Sequence, residues 1–489
     1  MRQSRDTDKL RQWRQEDLRN NKAITFIAIF FSGIIVAMLI YIGWYSYANR
    51  VTFVMNDYNK RATYLQAENT RGSIISADGV TLAQTITDED GNETRNYPYG
   101  NQFAHVVGYA DMGGMGIEKM MKYYLINCNS SLSTKAQYDD QGLKFPGDNV
   151  YTTINASLQI LAYYSLGDYN GAVIISDPKT GAILAMVSKP DFDPNTIKAD
   201  WTALSSDKDT AALVNRSSQG LYPPGSTFKI VTSLEYIREN PSTYEDYTFS
   251  CKGSLTVNGA SIKCYHNQVH GALDFFSSFA KSCNSSYANI GLSLDQDKFA
   301  QTLDDLLFNQ ELPVDFPYSQ SIATASTSLS DEDKMQLSIG QGATSVSPLH
   351  MNMITMAIAN GGTLMKPYLV TGVESADGKV VEEFEPETYG QLISADEAAV
   401  LTEMMEQVVL TGTATGLAGA TYDAVGKTGS AEYSSSSSDS HAWFTGFAPK
   451  DDPQICVTII MEKAGSGGHM AVPVAKRIFD EYFAVNSIN

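Results

Sequence analysis

The stretch Tyr222-Pro223-Pro224-Gly225-Ser226-Thr227-Phe228-Lys229 organises the reading of the whole chain. Two prolines stiffen the approach and a glycine allows a sharp turn. Ile230, Val231, Leu234 and Ile237 then recur at helical spacing. Ser226 therefore stands where a helix begins, with Lys229 three residues on, along the same face. A serine hydroxyl becomes a nucleophile when a neighbouring base takes its proton, and an uncharged lysine one turn away can do so. Two other Ser-x-x-Lys matches, Ser205 to Lys208 and Ser278 to Lys281, lack the Pro-Pro-Gly turn. They read as a polar surface loop and a plain helix.

Working outward, the next candidate is Ser282-Cys283-Asn284, after the apolar run Leu273 to Ala280. A Ser and an Asn two apart can face one site, the first relaying a proton and the second holding an amide. Alone, the tripeptide reads equally as a helix cap. The third is Lys427-Thr428-Gly429-Ser430, strand-like, after Gly426. There a cation and two hydroxyls flank a glycine that lets a ligand backbone approach. The competing reading is a polar edge strand.

The chain has 489 residues, enough for two to four domains, with 43% hydrophobic residues and a formal net charge of −20. That acidity, with no Lys/Arg-rich run, excludes nucleic acid as a partner. Residues 1–22 carry seven Lys/Arg against four Asp/Glu, and Ala23 to Asn49 carry no charge at all. Ala23 to Trp44 is apolar enough and long enough to span a bilayer core, with Trp44, Tyr45 and Tyr47 as an aromatic belt. The basic flank places the N-terminus in the cytoplasm and everything after residue 49 outside, at the plasma membrane. A cleaved signal peptide is the rival, with Ser46-Tyr47-Ala48 as a small-x-small site; the apolar run exceeds the ~7–15 residues of a signal core.

Beyond the anchor, Arg71 to Ala83 reads as a β-hairpin around Asp78-Gly79, followed by a Gly- and aromatic-rich segment and a short helix from Gly114. Strands are expected at Val150–Ile154, Gly171–Ser176 and Ala182–Val187, with a helix over Ser157–Ser165. Residues 225–420 are mostly helical by pattern. Strands return at Ala424–Ala431, Ala442–Ala448 and Ile455–Met461, before a helix over Val472–Phe483. Strands at both ends with helices between them predict one sheet closed by the two ends of the chain. Ser434 to Ser438 reads as a mobile loop. The expected division is a tail at 1–22, an anchor at 23–45, a non-catalytic pedestal at 46–149 and the chemistry at 150–489.

Cys251 and Cys264 bracket a hairpin-like segment and can pair in an oxidising compartment. Cys128, Cys283 and Cys456 have no evident partner. With neither CxxC nor HExxH in the sequence, neither a metal site nor a cofactor is expected.

Ser-x-x-Lys, Ser-x-Asn and Lys-Thr-Gly in that order are far more specific together than apart. The extracytoplasmic part resembles a class B penicillin-binding protein, a monofunctional D,D-transpeptidase of cell-wall synthesis. Arg71-Gly72, Ile339-Gly340-Gln341-Gly342, Gly412-Thr413-Ala414 and Trp443-Phe444-Thr445-Gly446 add to the likeness. The resemblance implies an α+β fold: a single membrane helix, a small dimerisation-like pedestal, and a serine β-lactamase-like domain. That domain has a central antiparallel sheet with helices on both faces and an all-helical subdomain.

The resemblance also implies roles. Ser226 is the nucleophile, Lys229 the base and Ser282 the proton relay. Asn284, Lys427, Thr428, Gly429 and Ser430 bind substrate, and the backbone N–H groups of Ser226 and Ser430 form the oxyanion hole. Implied partners are stem peptides ending in D-Ala-D-Ala, β-lactam antibiotics and a membrane glycan polymerase of the SEDS type. Two departures stand out: Ser430 where the family has Thr, and Ser76-Ala77 where it has an acidic-basic pair. The rival activities are a D,D-carboxypeptidase or β-lactamase, with water as acceptor, and a β-lactam-binding sensor or scaffold.

Overall fold

The computed structural model describes residues 2–55, 60–432 and 440–486; Ser434 to Ser438 lie outside the described residues. The chain forms two compact units, Met1–Ala67 and Glu68–Asn489.

The first unit is dominated by one helix, Arg2–Ala48, which contains a stretch long and apolar enough to cross a membrane. The helix does not stop between the polar segment and the apolar one. Residues 1–22 contain no Gly or Pro, so nothing in the backbone interrupts it.

In the second unit a five-stranded antiparallel sheet runs in the order Val425–Glu432, Ser440–Ala448, Ile455–Met461, Gly171–Ser176, Ile183–Lys189. The two ends of the chain close one sheet, as the strand pattern predicts. All residues of Ser440–Ala448 and Ile455–Met461 are buried, so both faces are covered. Pro348–Ala359 packs on three of these strands, and Ala156–Ser165 packs beside the C-terminal helix Gly467–Asn486. That helix begins five residues earlier than its apolar pattern and runs through Pro473.

A second sheet of six strands runs Val380–Glu383, Val370–Glu374, Asn149–Thr152, Ile74–Ile75, Thr81–Thr87, Glu93–Asn96. The hairpin expected after Arg71 supplies its fourth and fifth strands. Two of its strands come from residues 370–383, so the boundary expected at 149/150 falls inside a strand of a shared sheet. Glu118 is fully buried and bridges Arg71 and Arg95, each at 2.6 Å. This ion triad braces the hairpin without the acidic-basic pair missing at Ser76-Ala77.

The middle of the chain supplies the helices, among them Lys229–Glu239, Phe275–Ala280, Asn284–Ser293 and Ala395–Leu410. It also carries short ribbons: Thr248–Cys251 with Gly271–Asp274, and Ser254–Val257 with Ala260–Lys263. The second is the hairpin expected between Cys251 and Cys264. Strands of four residues give too short a period for the first ribbon to be read from sequence.

Candidate active site

Ser226 lies on a 3₁₀ turn, Gly225–Phe228, and Lys229 is the first residue of the following α-helix. The expected helix start is present, tightened by one turn of 3₁₀ geometry. The turn is held from several sides. Gly225 N donates to Gly340 O at 2.9 Å, Tyr222 and Val346 exchange backbone hydrogen bonds, and Trp443 Nε1 donates to Pro223 O at 3.1 Å. Gly225 has φ +53°, and a Cβ there would lie 2.9 Å from the Ala431 Cβ. Glycine is thus required both for the turn and for its approach to the strand that carries Lys427–Ser430.

Lys229 is completely buried. Its Nζ donates to Ser282 O at 2.7 Å, Asn284 Oδ1 at 2.8 Å and Ser282 Oγ at 3.3 Å. Lys427 is equally buried and donates to Ser282 Oγ at 2.9 Å and to Thr428 O at 3.0 Å. Neutral oxygens are therefore the acceptors of both amines. The rings of Tyr287 and Phe279 lie 5.3 and 5.4 Å from Lys229 Nζ and Lys427 Nζ. Burial pulls the Lys229 amine down to about 7, against a smaller opposing effect of Cys283 and Cys264. Burial and the charge of Lys229 hold Lys427 well below the usual lysine range.

Ser282 holds this network together from a left-handed backbone, φ +55°, unusual for a non-glycine residue. Its hydroxyl stands between two lysines that come from opposite halves of the fold. Asn284, expected from sequence to hold a substrate amide, is engaged within the protein: its Oδ1 accepts from Lys229 Nζ and its Nδ2 donates to Lys263 O at 3.1 Å. One N–H of that amide remains for a ligand.

On the Lys427 strand, Thr428 Oγ1 pairs with Thr413 Oγ1 at 2.5 Å, and Ser430 Oγ accepts from Gly467 N at 3.3 Å. Gly429 packs with Pro224 O and Thr227 within about 3 Å of where a Cβ would sit, which brings the strand against the Ser226 turn. Thr413 is a site residue that sequence reasoning missed as such. Its Gly412-Thr413-Ala414 segment was legible, but its role depends on a contact 15 residues away along the chain. Gly340 is missed in the same way: only the fold shows it backing the turn that bears Ser226.

Cys251 and Cys264 are neighbours, as their hairpin predicts, but they are free thiols with sulfurs 3.7 Å apart. A disulfide needs about 2.05 Å. Cys283, expected to be alone, sits 3.7 Å from Cys264. Beside the pair that sequence offers, folding adds a third thiol that no bracketing argument contains.

Comparison with known proteins gives one answer. Residues 171–480 match the penicillin binding protein transpeptidase domain, and residues 71–150 match the penicillin binding protein A dimerisation domain. The peptidoglycan D,D-transpeptidase PbpA of Mycolicibacterium smegmatis is 30% identical, over 86% of this chain and 90% of that protein. The D,D-transpeptidase domain of a peptidoglycan glycosyltransferase from Eggerthella lenta superposes with a TM-score of 0.77 at 30% identity, covering 86% of this chain and all of that one. Penicillin-binding protein A from M. tuberculosis, solved as an imipenem acyl-enzyme, superposes with a TM-score of 0.76 at 25% identity, covering 85% and 99%. With the Ser-x-x-Lys turn, the two buried lysines and the Lys-Thr-Gly strand in the matched region, the chain belongs to the penicillin-binding protein transpeptidase family.

Proposed function

We propose that the protein is a membrane-anchored peptidoglycan D,D-transpeptidase that works through a Ser226 acyl-enzyme. The observation that carries this reading is the convergence of Lys229 and Lys427 on Ser282, beside the turn that bears Ser226. With an amine at about 7, a large fraction of Lys229 is neutral near physiological pH and able to take the Ser226 proton. Ser226 Oγ then attacks the carbonyl between two D-alanines. Ser282, hydrogen-bonded to both amines, returns the proton to the departing D-alanine nitrogen. Its hydroxyl forwards the proton without storing charge.

Lys427, Thr428 and Ser430 receive the terminal carboxylate, whose negative charge restores the positive charge on Lys427. Gly429 leaves room for the peptide to lie along the strand, and Asn284 offers its remaining N–H to a substrate carbonyl. The N–H groups of Ser226 and Ser430 stabilise the tetrahedral oxyanion, at about 3 kcal/mol per donor. An amine from a second stem peptide then takes the acyl group and completes a cross-link. A β-lactam follows the same first step and stays on Ser226. The helix Arg2–Ala48 anchors the enzyme, with the basic segment in the cytoplasm and the catalytic unit outside. A membrane glycan polymerase of the SEDS type is the partner this arrangement suits.

Intact mass after exposure to penicillin tests the nucleophile: the wild type gains one drug mass and Ser226→Ala gains none. Covalent labelling of Ser226→Ala overturns the assignment. Product analysis on a stem-peptide donor, with and without an added D-amino acid amine, separates a transpeptidase from a hydrolase.

A further inference from the structure

Four side chains outside the chemistry above point their donor atoms at one point. Cys251 ends the strand Thr248–Cys251, Cys264 follows the adjoining hairpin, His270 precedes the strand Gly271–Asp274, and Cys283 caps the helix Asn284–Ser293. Their three Sγ atoms and an imidazole nitrogen lie within 4.8 Å of one another. The sulfurs of Cys251 and Cys264, and of Cys264 and Cys283, are 3.7 Å apart, and Cys251 Sγ is 3.4 Å from His270 Nδ1.

Those spacings are diagnostic. Zinc bonds of about 2.3 Å to sulfur and about 2.05 Å to nitrogen, at tetrahedral angles, put ligand atoms about 3.8 Å apart for S–S and about 3.5 Å for S–N. Three of the cluster's six edges have these lengths and all lie within 4.8 Å, whereas a disulfide would halve one of them and strand the third thiol. The three cysteines are buried and His270 is half-buried, a closed site of the structural type. The sulfurs also have supporting donors. Gly253 N points at Cys251 Sγ and Ser286 N at Cys283 Sγ, each at 3.4 Å, and Ser285 Oγ lies 3.1 Å from Cys264 Sγ. Backbone N–H groups directed at sulfur are what thiolate ligands require.

We propose that Cys251, Cys264, His270 and Cys283 form a structural zinc site. Binding makes three Zn–S bonds and one Zn–N bond, with the three thiol protons released to solvent and no change of oxidation state. Three sulfurs and one imidazole in a tetrahedron favour Zn²⁺ over Mg²⁺ or Ca²⁺, which take oxygen ligands. Cys283 is the middle residue of Ser282-Cys283-Asn284, so the metal ties the hairpin to the loop that presents both groups to Lys229. It fixes Ser282 in its left-handed backbone and acts as a positioning element. This last consequence rests on the proposed acyl-transfer reading; the metal site does not.

The test uses the full chain, purified in detergent without a polyhistidine tag. Mass spectrometry of the metal content is expected to give one zinc per chain, released by a mercurial thiol reagent. Chelation of the folded wild type is expected to lower Tm, and added ZnCl₂ to restore it. His270→Ala, at the half-buried ligand, keeps the thiols and is expected to bind zinc at least tenfold more weakly. A wild type that carries no zinc, takes none from ZnCl₂ and shows a Cys251–Cys264 disulfide by peptide mapping overturns the proposal. The zinc readout is independent of penicillin labelling. A zinc-loaded protein that penicillin does not label would therefore sink the acyl-transfer reading and leave the metal site standing.

Discussion

Lys229 and Lys427 meet at one atom: their Nζ groups lie 3.3 and 2.9 Å from the Ser282 hydroxyl, with both side chains fully buried. Two ammonium groups cannot both remain charged at that separation away from water. The fold therefore makes a neutral amine at neutral pH out of a residue type that is ordinarily cationic.

The first prediction concerns pH. In the proposed reaction Lys229 acts as a base when deprotonated, and its pKa is lowered to about 7. The rate of β-lactam acylation is expected to rise with pH, about tenfold per unit on the acid side, and level off above about pH 7. Burial sets the Lys229 value, and Lys427 is itself held well below the usual lysine range, so Lys427→Met is expected to leave the midpoint in place. Stopped-flow acylation across pH 5–9 checks both, and a flat profile would exclude Lys229 as the base.

Replacing the base itself is the second. Lys229→Ala is expected to slow acylation by about 10²–10⁴-fold, the usual range for a general base. A Tm close to wild type would show that the loss is chemical.

Gly225→Ala separates geometry from stability. Its Cβ would lie 2.9 Å from Ala431 Cβ, on a residue with φ +53°. The turn must move away from the Lys427–Ser430 strand, which separates the Ser226 and Ser430 N–H groups. Loss of one oxyanion donor corresponds to about 10²–10³ in rate. Equal acylation rates in mutant and wild type would refute the close-approach argument.

Thr413→Val removes the partner of Thr428 and keeps the volume. A hydrogen bond of this kind is worth about 1 kcal/mol, so acylation efficiency is expected to fall about five-fold. The effect should appear chiefly in KM, since Thr413 holds Thr428, the residue proposed to receive the carboxylate.

The fifth prediction is about the pedestal. Burial pushes the Glu118 carboxyl up, but Arg71 and Arg95 outweigh it and hold it below the ordinary carboxylate value. Its stabilising contribution is therefore full above about pH 4.5 and lost as pH falls through the lower, folded-state pKa. Glu118→Gln leaves two half-buried guanidiniums side by side and is expected to cost about 3 kcal/mol at pH 7. Calorimetry should show the Tm gap to wild type narrowing below pH 4.

The local signals were legible for a reason. The uncharged Ala23–Asn49 run needs nothing but its own composition to be a helix. Gly171–Ser176 and Ile455–Met461 are continuous apolar runs, and their strand bounds are found where those runs begin and end. Pro223-Pro224-Gly225 sets a turn through backbone restrictions alone. Sequence therefore determined the anchor helix, the core strands, the order of the three motifs and the residue types of the candidate site.

Tertiary structure decided what those residues do to one another. Nothing in the sequence sets Lys229 and Lys427 apart from the chain's other lysines in pKa; burial lowers both, and the charge of Lys229 lowers Lys427 further. Strands at 370–383 joined the sheet of residues 74–152 because pairing depends on neighbours in space, leaving no signal in a four-residue stretch. Asn284 was read as a substrate ligand, and the fold turned half of its amide toward Lys229 and Lys263. Cys283 looked solitary because Cys264 lies 19 residues away along the chain, and only the fold brings the end of that hairpin to the helix Cys283 caps. Composition and spacing report on the chain's own neighbourhood; distances, burial and shared protons are properties of the folded whole.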